Sequence, residues 1–133
     1  MGITLVHSTM DCPESFGYVF DHLQAEAHFT HQVTPICFHG HTHCPMIYEK
    51  QVSAVYRIDA QDFKLPLGRK YFINVGSVGQ PRDGDPRAAY AIWEPAERML
   101  SFRRLDYDIE AAQARIRAAG LPERLAERLS VGR

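Results

Sequence analysis

The stretch Ile36-Cys37-Phe38-His39-Gly40-His41-Thr42-His43 decides how the rest of the chain is read. Ile36 to His39 is a short β-rich apolar run that reads as a strand, and Gly40 ends it. Two imidazoles follow, two residues apart. On an extended backbone His41 and His43 point to one face, with Cα atoms roughly 6.5–7 Å apart. That gap is wide for two bonds to one ion and suits two ions about 3.5–4 Å apart, each taking one histidine. Gly40 would let the chain turn sharply and leave room for an anion. The same tetrapeptide also fits two ordinary surface or hydrogen-bonded histidines, because so short a motif is weak alone. A single zinc site drawn from Cys37, His39, His41, His43 and Cys44 has suitable ligand types. Alternate residues on one strand cannot wrap a tetrahedron, however, and structural zinc sites pair ligands through separate knuckles.

Working toward the N-terminus, Phe16, Val19, Phe20 and Leu23 recur at helical spacing and predict an amphipathic helix from about Glu14 to Phe29. Ser8 to Ser15 reads as a loop, and Ile3 to Val6 as a buried strand that ends at His7. Toward the C-terminus, Met46 to Glu49 and Ser53 to Ile58 form a hairpin across Lys50-Gln51, and Asp59 to Lys70 is a loop. Tyr71 to Val75 is a further strand, followed by the Gly- and Pro-rich loop Gly76 to Pro86. Strands at Ala88 to Glu94 and Met99 to Leu105 come next. Asp108 caps a helix through Ala119 with Gly120 past its end, and a second helix, Glu123 to Leu129, starts after Pro122. This order predicts an α/β or α+β domain with helices packed on a sheet, and site residues where strands give way to loops.

Composition narrows the function classes. With 133 residues, 45% hydrophobic and 23% charged, the chain is of ordinary globular composition and one-domain size. A formal net charge of −1 supplies no basic field for a nucleic-acid backbone. Apolar runs are too short to span a membrane, and the start lacks a signal-peptide pattern. Three cysteines without a framework spacing favour the cytoplasm as compartment. All seven histidines fall within the first 43 residues. Of these, His22, His28 and His31 read as solvated positions on or just after the first helix. His39 reads either as a partner orienting a ligand imidazole or as a packed strand residue. Arg82 and Arg87 suit a phosphate geometrically, though loop arginines are commonly just solvated.

Gly40-His41-Thr42-His43 with Pro45, then Asn74-Val75-Gly76-Ser77-Val78-Gly79-Gln80-Pro81-Arg82, closely resembles the end of the calcineurin-like metallophosphoesterases. Leu5-Val6-His7-Ser8 and the segment Asp11 to Val19 continue the likeness, which covers Ile3 to Leu105. The nearest branch is that of small bacterial and archaeal phosphodiesterases and phosphatases. Ser8 and Val75 depart mildly, standing where glycine or alanine and proline are common. The resemblance implies that His7 and His41 bind one metal and His43 the other. His39, Asn74, Ser77 and Arg82 are expected around those ligands or in the substrate loop.

It further implies two divalent ions (manganese, iron, zinc or nickel), a phosphoester substrate, and in-line attack on phosphorus by metal-bound hydroxide. Family members also carry Asp-x-His, Gly-Asp and Gly-Asn-His-Asp/Glu blocks that supply carboxylate, Asn and His ligands, and nothing here matches them. The expectation is therefore a partial metallophosphoesterase β-sandwich with flanking helices, its N-terminal strands and motifs absent. Residues 1–105 form its C-terminal half, and residues 106–133 a helical tail on the same domain. Alone it would be incomplete and inactive, leaving an exposed sheet open to a missing N-terminal half or to self-association. The alternatives are one chain of a split phosphoesterase, or a non-catalytic interaction or metal-binding module.

Overall fold

Two stretches of the chain, 36–39 and 70–74, are covered on both faces, as strands inside a layered sheet must be. The computed structural model describes residues 2–133. In chain order its strands are β1 (Ile3–Leu5), β2 (Ile36–His39), β3 (Met46–Lys50), β4 (Val55–Asp59), β5 (Phe63–Lys64), β6 (Lys70–Asn74), β7 (Ala88–Glu94) and β8 (Met99–Leu105). The helices are α1 (His22–His31), α2 (Ile109–Ala118) and α3 (Glu123–Glu127), with short 3-10 turns at Pro13–Ser15 and Arg128–Val131. One sheet has five strands in the order β1-β2-β6-β3-β4, and the other three in the order β5-β8-β7.

The two-residue period of a strand sorts side chains between two apolar layers. Cys37 and Phe72 point to one side, where Val19, Ala25, Phe29 and Tyr48 bury against them. Ile36, Tyr71 and Ile73 point to the other, meeting Ile47, Leu65 and Leu100 between the sheets. Each fully buried side chain of this size contributes about 1.5–3 kcal/mol. Strands β1, β2 and β6 run parallel, with Leu5 beside Phe38 and His39 beside Asn74. The three chain segments that leave their C-terminal ends therefore emerge at one margin of the sheet, where open α/β sheets hold their ligands.

Several expectations are corrected. Helix α1 starts at His22 rather than near Glu14. Asp21 accepts from the Gln24 backbone N–H, and the Gln24 side chain accepts in return from the Asp21 N–H, a capping box. Residues 16–20 are non-helical, so the helical spacing of Phe16, Val19 and Phe20 is coincidental. Strand β1 is an exposed edge rather than a buried strand, because no neighbour pairs with its outer side among the described residues. The hairpin strand β3 runs on through Lys50, so the reversal occupies residues 51–54. The loop 59–70 contains β5, which pairs with β8. His28 is fully buried: its Nδ1 accepts from the Met10 N–H at 3.0 Å and its Nε2 lies 2.9 Å from Gln32 Oε1. His22 and His31 are exposed, as expected.

At the C-terminus Asp108 caps α2 by accepting from the Ala111 N–H, and Gly120 follows in the left-handed region. The tail meets the long loop through a hydrogen bond from the Gly84 N–H to the Gly132 carbonyl at 3.0 Å. No helix among the described residues is long and apolar enough to cross a membrane.

Candidate metal centre

The segment after β2 is the most constrained part of the margin. His41 and His43 both have φ of 62°, in the left-handed region that non-glycine residues rarely enter. The expectation of an extended backbone here is overturned; Gly40 itself is not among the residues of positive φ. The alternation of strained, normal, strained geometry throws the Thr42 side chain inward and both imidazoles outward. Thr42 is buried, and His41 and His43 are partly exposed.

Asn74 holds this turn. Its Oδ1 accepts from the Gly76 N–H at 2.9 Å, so its amide nitrogen faces the turn. Nδ2 donates to the Gly40 carbonyl and to Thr42 Oγ1, each at 2.6 Å. Gly76 has φ of 83°, and a Cβ there would lie 2.6 Å from the Ala89 side chain and 2.8 Å from that of Pro45. Ser77 Oγ accepts from the Gln80 N–H at 2.9 Å and shapes the loop from within. These contacts bring the Gln80 carbonyl to 2.7 Å from His43 Nδ1. A carbonyl only accepts, so Nδ1 carries the proton and Nε2 keeps its lone pair, the tautomer of a metal-binding imidazole.

His7 follows β1 and is tied to the turn by a hydrogen bond from the Gly40 N–H to its carbonyl at 3.1 Å. Its Nε2 stands 2.9 Å from His41 Nδ1. Two nitrogens bound to one ion at about 2.0–2.1 Å, roughly at right angles, have this same separation. The pair therefore fits a shared divalent ion. Burial first, then His7 and Arg82, hold the His41 pKa below its ordinary value, against a hydrogen bond to the Phe16 backbone. Burial likewise lowers that of His43, with Arg82, His41 and His7 adding and Gln80 opposing. Neutral imidazoles are the form that binds metal.

The other expected residues divide. Asn74 and Ser77 shape the turn and the loop. Arg82 donates from Nη2 to Gln80 Oε1 at 2.9 Å, while its Nε is buried without a partner among the described residues. Arg87 is engaged by Asp85 at 2.6 Å and is not free for a phosphate. His39 lies beneath the turn, stacked 3.7 Å from Phe72, whose ring is also 3.5 Å from His28. Burial, then His28, His41 and His7, lower the His39 pKa well below its ordinary value. Cys37 faces the same apolar layer, its thiol pushed up to about 12 by burial. No group of three or more His, Cys, Asp and Glu gathers to hold a metal ion among the described residues, and Cys37 faces the apolar layer while His41 and His43 do not.

Residues that sequence reasoning passed over include Thr42 and Gln80, which act through a buried hydroxyl and a main-chain carbonyl. They also include Phe16 and Tyr18, whose rings stand 5.9 Å and 4.3 Å from that of His41. Phe16 has φ of 50°, a local strain that only the folded structure shows.

The layered α/β fold, with its strained histidines at the ends of parallel strands, is similar to that of part of a solved metallophosphoesterase. It matches the solved metallophosphoesterase of Sphaerobacter thermophilus with a TM-score of 0.86 and 40% identity, over 98% of this chain and 55% of that one. It is 34% identical over 128 residues to the uncharacterized protein MJ0912 of Methanocaldococcus jannaschii, covering 96% of this chain and 50% of that protein. The hypothetical protein PH1004 of Pyrococcus horikoshii shares the fold, with a TM-score of 0.67 at 19% identity over 98% of this chain and 46% of that one. The chain thus spans about half the length of the relatives it matches. No family model matches it.

Proposed function

We propose that this chain supplies the His7, His41 and His43 part of a two-metal centre that hydrolyses phosphoesters. The observation that carries the reading is the fixed tautomer of His43, held by the Gln80 carbonyl beside the close His7–His41 pair. His7 and His41 would share one ion and His43 would bind the other, with manganese, iron, zinc or nickel all compatible with imidazole. When bound, such ions supply Lewis acidity and activate water for attack on phosphorus. The chain's own contribution is orientation: Asn74 and Ser77 hold the turn and the loop, and Arg82 adds positive charge beside the histidines.

Three neutral imidazoles do not balance two divalent charges, so the remaining ligands lie outside these residues on this reading. They would arrive on a polypeptide segment seated along the free edge of β1, where Ile3 and Leu5 are 41% and 77% exposed. A second copy of the chain on that edge is the alternative occupant. Residues 1–105 and 106–133 are taken to work as one unit, in the cytoplasm, where the free thiols of Cys12, Cys37 and Cys44 would remain reduced.

The test is calorimetric titration with manganese alongside turnover of bis(4-nitrophenyl) phosphate. Weak metal binding by this chain, lost in His41→Ala and His43→Ala with the fold retained, is expected. Tight uptake of two ions with turnover would reject the incompleteness. Unchanged binding in both variants would reject the ligand assignment.

A further inference from the structure

Beside the histidines lies a cavity of ≈ 290 Å³ whose chemistry the metal centre does not use. Its walls are Val19, Phe20, Cys44, Met46, Tyr48 and Arg57. Tyr48 and Arg57 sit directly opposite each other on β3 and β4, which places a phenol and a guanidinium side by side. Tyr48 is only 1% exposed, yet its hydroxyl makes no hydrogen bond among the described residues. Its oxygen is not among the buried polar atoms left without a partner, so it opens onto the cavity and is free to donate there. Burial raises the Tyr48 pKa, so the phenol stays protonated and offers a donor.

Arg57 is equally uncommitted. Its Nε points at Met46 Sδ, and its one carboxylate neighbour, Asp59, is 4.0 Å away. The remaining walls are apolar, and Phe20 carries an exposed ring stacked on Tyr18 with 5° between their planes. Tyr18 in turn covers His41 at 4.3 Å. Cys44 follows His43 directly, so the cavity begins one residue beyond the turn that carries His41 and His43.

We propose that this cavity receives the organic group of the phosphoester, and that the group is a planar aromatic or heteroaromatic ring bearing an acceptor oxygen. Apolar walls and the Phe20 ring take the flat face, while the Tyr48 hydroxyl and Arg57 donate to the oxygen. An aliphatic ester would leave both donors unsatisfied and the apolar walls wet. The proposal rests on the phosphoesterase reading above, and its test separates the two.

The whole chain is titrated by two-dimensional NMR, which reads millimolar affinities, with uridine 5′-monophosphate, 4-nitrophenyl phosphate, ethyl phosphate and uridine. The expected result is aromatic esters binding about tenfold more tightly than ethyl phosphate, with shifts centred on Tyr48 and Arg57. Tyr48→Phe should weaken the aromatic esters about five-fold and leave ethyl phosphate unchanged. Arg57→Gln is half-exposed and tests the same point without touching the core. Equal affinity for aromatic and ethyl esters would overturn the cavity proposal and leave the phosphoesterase reading standing. Uridine binding as tightly as its monophosphate, with ethyl phosphate unbound, would keep an aromatic site but overturn its assignment to a phosphoester. Absence of any binding would overturn both.

Discussion

The carboxamide of Asn74 lies 2.6 Å from the Thr42 hydroxyl and joins two loops that are 32 residues apart in sequence. Because its oxygen is already used by the Gly76 N–H, its two amide protons are committed to the Gly40 carbonyl and to Thr42. Replacement by Leu removes all three bonds and leaves buried backbone groups unpaired. We expect Asn74→Leu to cost about 2–4 kcal/mol, the sum of more than one stranded polar group. Urea denaturation measures it. A cost within error of zero would mean the turn holds itself.

The left-handed geometry of His41 and His43 predicts a trade between stability and binding. At each position Gly should be more stable than Ala by about 1 kcal/mol, since only glycine enters this region without a Cβ clash. Both substitutions should abolish metal affinity to the same extent. Thermal unfolding of the four single variants gives the comparison, and equal stabilities for each Gly–Ala pair would contradict a strained turn.

Gly76 combines positive φ with close packing against Ala89 and Pro45. Gly76→Ala would meet both penalties at once, and a loss of about 2–4 kcal/mol is expected. The same variant should weaken manganese binding, because the displaced loop carries the Gln80 carbonyl away from His43. A well-folded variant with wild-type metal affinity would show that the loop does not orient His43.

His28 predicts how stability varies with pH. Burial lowers its pKa to about 4 from an ordinary value of 6.5, with hydrogen bonding to Gln32 opposing the fall. Between those values the unfolded chain binds the proton and the folded chain does not. The contribution is therefore complete above the unfolded pKa and is lost as pH falls toward the folded one, by about 3 kcal/mol in all. His39 shifts in the same direction and adds to the slope. His28→Leu should be less stable near neutrality but show a flatter decline on acidification. Parallel curves for the two proteins would remove His28 as the source.

Much of the architecture was legible in local pattern. β2, β7 and β8 were read with their observed bounds because β-rich runs ended at glycine, proline or a polar turn. The Asp108 cap and Gly120 stop of α2 were equally plain, since those residues act within one turn of the helix. Apolar spacing does not locate the start of α1, because it counts residues but cannot tell a helix from an extended segment that buries Val19 anyway. Its Asp21–Gln24 capping box was the local signal to use.

The centre divides the same way. Residue types and spacing singled out His41 and His43 as candidates, and the resemblance to a known family added His7. Only the tertiary structure decided how they are presented. It set the left-handed turn that sends His41 and His43 outward, the Asn74 bridge that holds that turn, and the Gln80 carbonyl that selects the His43 tautomer. It also buried His28, whose neighbours Met10 and Phe72 lie far from it in sequence. Those features depend on which backbone groups meet across the sheet margin, and no local pattern encodes such a meeting.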